Sequence, residues 1–394
     1  MRLLFATTAN AGHFGPMAPF ARACADAGHD VRVCAPASFA GAVERAGFRH
    51  LPVLDSDPAV MGPIFARLPE LPMEEANAVV VRDVFAGLNA RAAMPGVEAA
   101  VREFEPDLIV REMAEFASFV VARRLDVPQV EIALGLAEME AAAYAMLGDA
   151  LAQLGCDDDG DLLTTPVLTC VPESLDPTDG LPARPVHRFR YEPPPATARG
   201  LPEFPNPDDP LIYASFGTVA AALDPFRKTY RALVDALADH PFRVLLTVGE
   251  AADPDLLGPT PDHVRVERFW PQQDVMPHAA AVIGHGGFGT TMTALAAGVP
   301  QVVVPLFAMD QFHNARAVER AGAGVVVDAA LTDLVDALSR VLRTRPAARR
   351  LAAEIADLPP IAGSAAVLTE TPSSPKLGPD RQDRVPDQAD HSTA

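Results

Sequence analysis

Short apolar runs of four to six residues, rich in valine, leucine and isoleucine, alternate with alanine-rich stretches from residue 2 onward. Runs of this kind are what strands look like when helices cover both faces of a parallel sheet. The alanine-rich stretches supply the crossover helices that parallel neighbours require. Five runs, at 3–8, 31–35, 107–111, 129–133 and 167–171, precede a break, and six follow it, at 211–216, 243–248, 264–269, 281–284, 301–306 and 324–327. The pattern predicts an α/β protein of two doubly wound, Rossmann-like domains.

The break contains Pro193, Pro194, Pro195, Pro202, Pro205, Pro207 and Pro210. Fixed φ angles and missing amide donors exclude helix and sheet there, so it reads as a linker about which two rigid halves open and close. A chain of 394 residues also exceeds what one core usually serves. The expected boundaries are a first domain at 1–190, the linker at 191–210 and a second domain at 211–345. A helical segment at 346–369, with a last helix around 348–358, is expected to return to the first domain. The polar tail at 370–394, with almost nothing to bury, is expected to be disordered.

Composition narrows the partners. A formal charge of −20 opposes phosphate backbones and anionic lipid, which argues against nucleic acid and membrane surfaces. No uninterrupted apolar run reaches membrane-spanning length, and the N-terminus enters a strand without a signal-peptide core, so a cytoplasmic location is expected. Cys24, Cys34, Cys156 and Cys170 show no metal-ligand or disulfide spacing and read as small buried hydrophobes.

The densest signal follows the run at 281–284. Gly284-His285-Gly286-Gly287-Phe288-Gly289-Thr290 opens an alanine-rich helix. Glycines let the backbone approach a ligand, and free amides at a helix start favour an anion such as a diphosphate, to which His285 can donate. After the next strand, Asp310 and Gln311 stand where they can hydrogen-bond sugar hydroxyls at the carboxyl edge of the sheet. The same glycines satisfy G-x-G-x-x-G with an acid about 20 residues on, which keeps an NAD(P)-linked oxidoreductase as the alternative. That fingerprint normally opens a nucleotide domain at its first strand, however, and this one lies late in the second. Asp157-Asp158-Asp159-Gly160-Asp161 contains a D-x-D string but sits in the first domain, where a solvated turn explains it. No metal site is expected.

In the first domain, Gly12-His13-Phe14-Gly15-Pro16 follows the first strand. A histidine on that loop faces the crevice of an α/β sheet, and its ordinary pKa of about 6.5 suits deprotonating a hydroxyl at neutral pH. Taken alone, His13 is equally a structural histidine. Met61, Met73, Met94, Met113, Met139 and Met146 gather in this domain, either as ordinary core or around a pocket for a bulky apolar acceptor.

Over nearly the whole chain to about residue 368, and most specifically over 269–324, the sequence resembles the nucleotide-sugar-dependent glycosyltransferases of the GT-B fold. The likeness is to the bacterial macrolide and natural-product branch, related to plant UDP-glycosyltransferases. The resemblance implies two Rossmann-like domains facing a central cleft, the acceptor bound by the first and the donor by the second. It assigns Phe269-Trp270-Pro271-Gln272 to the base-stacking W-x-P-Q element, with either Phe269 or Trp270 covering the base. His285, Gly286, Gly287, Gly289 and Thr290 match the diphosphate element, and Asp310-Gln311 the sugar-holding pair. Ser215, Gly217 and Thr218 match a turn on the phosphate side, where Gly217 equally serves the strand-to-helix turn alone. Plant members bind ribose with a glutamate that is Thr293 here, which is compatible with a dTDP-sugar as well as a UDP-sugar. The resemblance also makes His13 the general base and Glu112 its acidic partner. The implied activity is inverting, metal-independent transfer of a hexose or deoxyhexose to a hydroxyl of a small apolar acceptor, as in antibiotic biosynthesis. The nucleotide-sugar is a co-substrate and no cofactor is required. A non-catalytic nucleotide-sugar-binding protein would keep the donor elements and dispense with His13.

Overall fold

A computed structural model describes residues 1–156, 162–217, 224–250 and 252–370 of the chain. Thr218, the acidic run at 157–161 and the tail from 371 lie outside the described residues. The strands of the first domain are β1 (Arg2–Ala6), β2 (Asp30–Pro36), β3 (Arg49–Val53), β4 (Leu108–Glu112), β5 (Gln129–Ile132), β6 (Val167–Thr169) and β7 (Val186–Arg188). Those of the second are β8 (Leu211–Ser215), β9 (Arg243–Thr247), β10 (Val264–Glu267), β11 (Ala279–Gly284), β12 (Gln301–Val303) and β13 (Gly324–Val326). They form two sheets, ordered β3-β2-β1-β4-β5-β6-β7 and β10-β9-β8-β11-β12-β13, and every pairing is parallel.

The apolar runs land on eleven of these strands. The two they miss, β3 and β7, are edge strands. β3 reads Arg-His-Leu-Pro-Val and β7 only Val-His-Arg, because an edge has one bonded side and tolerates polar residues and proline. Central strands such as β8, with all five residues buried, carry the signal the pattern reads.

In each sheet the strand order reverses beside the first strand of the domain, between β1 and β4 and between β8 and β11. Crevices at the carboxyl ends of such switch points are where doubly wound folds bind ligands. The first is bounded by Thr7, Thr8 and the end of β4, the second by Phe216, Gly217 and the end of β11.

The halves touch directly. One apolar cluster runs from Leu4, Ile109 and Phe119 through to Met292, Leu295 and Val318 of the second domain. Glu138 meets Arg320 at 3.4 Å, and Glu354 accepts the Ser174 amide at 3.1 Å. The linker is pinned to the second domain. Asp274 accepts the Thr197 amide at 2.8 Å, and the Trp270 indole donates to the Gly200 carbonyl at 3.0 Å. The helix Arg345–Asp357 stays against the second-domain helix Phe288–Ala296. The crossing comes at 358–360, and it is the turn Ile361–Gly363 and the helix Ser364–Glu370 that pack on the first domain, through Ile361, Ala365 and Leu368.

By length and composition the helical stretch Leu334–Glu370 resembles a membrane span. It is broken at Leu358-Pro359-Pro360, however, and its apolar residues Leu351, Ile355, Ile361 and Leu368 are buried within the protein. All four cysteines are buried and none is in a disulfide among the described residues, and burial pushes the Cys24 thiol up to about 12.

Candidate active site

The helix Ala11–Asp26 starts directly after β1, its first turn fixed by Asn10, whose side chain accepts the Gly12 amide at 2.7 Å. This places His13 one turn in, at the β1/β4 switch point. Glu112 ends β4 on the other side, fully buried. Its Oε1 accepts the Thr8 amide at 3.0 Å and its Oε2 the Ala114 amide at 2.6 Å, so the carboxylate is held from both sides by backbone. His13 Nδ1 lies 3.2 Å from Glu112 Oε1. That contact is in ion-pair range but off the line of a full hydrogen bond, as catalytic pairs often are before substrate aligns them. The other ring nitrogen, Nε2, is left to serve a substrate, and the side chain keeps 19% exposure.

The electrostatics of this pair are mutual. Burial alone would favour a neutral imidazole, but the Glu112 carboxylate, with a smaller contribution from Asp310 of the second domain, holds the His13 pKa above its ordinary 6.5. Burial would likewise raise Glu112, but the His13 ring and the Ala114 and Thr8 amides outweigh it and keep Glu112 ionised.

Beside the dyad lies a cavity of about 350 Å³. Its walls include Val53, Met61, Phe65, Phe85 and Phe116, and its polar groups include Thr8 and Asn89. Phe85 packs against the His13 ring with centroids 5.5 Å apart. Of the six methionines singled out in the sequence, only Met61 lines this cavity. Met113 and Met139 are core and Met73 is exposed.

At the second switch point the loop between β11 and the helix Phe288–Ala296 folds around His285. Gly286 has φ +87°, and a Cβ there would sit 2.7 Å from the Gln311 carbonyl oxygen. A Cβ on Gly287 would sit 2.5 Å from the His285 ring, so both positions require glycine. No side chain caps the helix Phe288–Ala296, which leaves its first amides for an anion. With no carboxylate beside it, burial lowers the His285 pKa to about 4, and the ring is neutral at pH 7. Gln272 Nε2 donates to Thr290 Oγ1 at 2.9 Å, tying the segment after β10 to this helix start. Ser215 is buried at the end of β8, and Gly217, at φ +81°, lies against the His285 ring. Gly289 is exposed in the first turn of the helix.

Asp310 and Gln311 open the helix Met309–Arg320. Gln311 Oε1 accepts the Leu306 and Phe307 amides at 2.9 and 3.1 Å and shapes the loop before it. Burial raises the Asp310 pKa, and His13 across the cleft partly offsets this.

The two aromatic residues separate clearly. Phe269 is 52% exposed, whereas Trp270 is 6% exposed and belongs to a second-domain core. The Arg199 guanidinium lies 3.6 Å from the Trp270 ring centre. Trp270 is thus taken up by the core and the linker, whereas Phe269 is exposed at the carboxyl edge of the sheet. Thr293 Oγ1 pairs with the linker residue Tyr191 at 3.0 Å.

Sequence reasoning passed over Asn314, Tyr191 and Phe85. Asn314 Nδ2 donates to the Gly286 carbonyl at 2.8 Å and locks the glycine loop to the helix bearing Gln311. Its three-residue spacing from Gln311 was the available signal. Tyr191 and Phe85 meet partners distant in sequence and carried none.

The relatives agree with this geometry. A family model for "Erythromycin biosynthesis protein CIII-like, C-terminal domain" matches residues 231–365. L-demethylnoviosyl transferase of Streptomyces niveus is 34% identical over 82% of this chain and 84% of its own length. The crystal structure of the glycosyltransferase SnogD from Streptomyces nogalater aligns at 29% identity with a TM-score of 0.72, covering 94% of this chain and 98% of that one. A Streptomyces sp. SF2575 glycosyltransferase complexed with thymidine diphosphate aligns at 27% identity with a TM-score of 0.70, covering 94% and 99%. On its fold and on these relatives, the chain belongs to the GT-B nucleotide-sugar glycosyltransferases of antibiotic biosynthesis.

Proposed function

We propose that the protein transfers a hexose or deoxyhexose from a dTDP- or UDP-sugar to a hydroxyl of a small apolar acceptor, with inversion and without a metal ion. The observation that carries this reading is the His13–Glu112 pair at the β1/β4 switch point, beside an apolar cavity and facing Asp310. The acceptor hydroxyl gives its proton to His13 Nε2, and Glu112 stabilises the imidazolium that forms. The oxygen attacks the anomeric carbon from the face opposite the diphosphate. The bond from that carbon to the diphosphate oxygen breaks, and the configuration inverts.

The departing diphosphate is received by the amides at the start of the helix Phe288–Ala296, with His285, Thr290 and Gly217 around them and Gln272 supporting Thr290. This is the argument for independence from a metal. Among the described residues no group of three His, Cys, Asp or Glu side chains is placed to hold one. Phe269, exposed at the carboxyl end of β10, stacks on the base, and Asp310 with the Gln311 amide holds the sugar hydroxyls. The pairing of Thr293 with Tyr191 in place of a ribose-binding carboxylate favours a deoxyribose donor, dTDP over UDP. The complex of a 27%-identical relative with thymidine diphosphate supports that preference.

The test is calorimetric titration of chelator-treated protein with dTDP, UDP, GDP and NAD. Saturable dTDP or UDP binding supports the proposal, and NAD binding without a diphosphate response sinks it.

A further inference from the structure

One helical stretch runs without a break from Met73 to Phe104, as the helix Met73–Ala78, a π-helical segment Val79–Asn89 and the helix Ala90–Phe104. Wide π-type turns are rare and concentrate at functional sites. Here the segment carries Phe85 against the His13 ring, and Asn89 in the cavity wall, where its Oδ1 accepts from Ser56 Oγ at 2.7 Å. Eight residues before Phe85, on the same stretch, Asn77 Nδ2 donates to the Met73 carbonyl at 2.8 Å, which orients the side chain. Asn77 Oδ1 then accepts the amide of Met309 at 3.2 Å, 232 residues away in sequence.

Met309 is the first residue of the second-domain helix that carries Asp310 and Gln311, and the residue at its N-cap, Ala308, has no side chain to take the Met309 amide. A first-domain side chain therefore does for this helix what a local Ser, Asp or Asn normally does. The contact exists only while the two domains are together, and Asp310 is felt by His13 in the same arrangement.

We propose that Asn77 is a positioning residue for transfer: by capping the Asp310–Gln311 helix from across the cleft, it lets the helix that lines the acceptor cavity hold the sugar-binding pair against His13 when the domains close. The proposal rests on the glycosyltransferase reading above. A nucleoside diphosphate lies against the second domain alone and does not need the cap. Transfer, which needs the sugar, His13 and acceptor aligned, does.

Three measurements on the full chain test it, comparing wild type with N77A and N77D. Hydrogen exchange at 309–311 should rise about fivefold in N77A, in keeping with the usual worth of a helix cap. N77D, which keeps the accepting oxygen, should restore protection. The affinity for dTDP should be the same in all three proteins. With dTDP-glucose and whichever phenolic acceptors wild type accepts, kcat should fall about fivefold in N77A and recover in N77D. Unchanged exchange, wild-type kcat in N77A, weakened dTDP binding, or an N77D as impaired as N77A would each overturn the proposal. If wild type transfers no sugar at all, the glycosyltransferase reading fails instead, and exchange at 309–311 still decides whether Asn77 caps the helix.

Discussion

The two switch points are built alike, but their histidines are shifted in opposite directions. Each places a largely buried histidine soon after a central strand at the mouth of a parallel sheet, His13 in the first turn of the helix Ala11–Asp26 and His285 on the loop before the next helix. At the first, the end of β4 supplies Glu112, and the His13 pKa stands above 6.5. At the second, glycines surround the ring, no acid accompanies it, and the His285 pKa falls to about 4. One added carboxylate thus separates a ring whose pKa is raised from one that burial keeps neutral. On the proposed reading, the same fold feature serves a proton acceptor in one half and a hydrogen-bond donor to phosphate in the other.

The strongest way to break this comparison is to remove the imidazole on each side. His13→Ala is expected to lower kcat about a thousandfold, within the usual range for losing a general base, while dTDP affinity stays at the wild-type level. A non-catalytic binding protein would lose neither. Glu112→Gln comes next, at about a hundredfold in kcat. His13 must be neutral to accept a proton, so wild-type kcat/KM falls as pH drops through the raised His13 pKa. With the Glu112 carboxylate gone, burial is opposed only by the smaller pull of Asp310, so the ring's pKa falls and the acid limb moves to lower pH. A pH–rate profile with its acid limb unmoved in Glu112→Gln would mean that Glu112 does not set the charge of His13.

This contrast was legible in the sequence only in part. The central strands announce themselves because both faces are buried, and the loops that follow them are then placed by topology. The edge strands β3 and β7 do not, since an edge accepts Arg49, His50 and Pro52. Gly286 and Gly287 stand out because a side chain there would strike Gln311 or His285. The partnership of His13 with Glu112 spans about a hundred residues, and only the family resemblance suggested it. The links from Tyr191 to Thr293 and from Asn77 to Met309 cross between domains and leave no local trace. Phe269 and Trp270 are adjacent aromatics with opposite surroundings, and composition cannot tell which one the core claims.

The neutral state of His285 makes the next prediction. A diphosphate beside the ring favours its charged form, so binding should draw a proton onto a group that is neutral in the free protein above about 4. At pH 5.5 the calorimetric enthalpy of dTDP binding should then depend on the ionisation enthalpy of the buffer, with net proton uptake. His285→Gln should abolish that dependence and weaken dTDP about tenfold, in line with one hydrogen bond to a charged group. Equal proton uptake in wild type and His285→Gln would assign the proton to another residue and remove the contrast with His13.

The smallest effect concerns the neighbouring aromatics, which repeat the comparison at the scale of one peptide bond. Phe269 has an exposed ring that lies outside the buried cores, so Phe269→Ala should leave thermal stability nearly unchanged. It should weaken dTDP about fivefold, the lower end of what base–aromatic stacking contributes. Trp270→Phe should do the reverse. It removes the indole donor to Gly200 and part of the surface under Arg199, both of which hold the linker, so it should cost about 1–2 kcal/mol of stability. Its effect on dTDP affinity should be within about a factor of two, because the core and the linker already take up the ring. Titration and thermal melting on the same two proteins separate the roles. If Trp270→Phe weakens dTDP more than Phe269→Ala does, the buried ring must turn outward when nucleotide arrives, and the linker that packs on it would have to move with the donor.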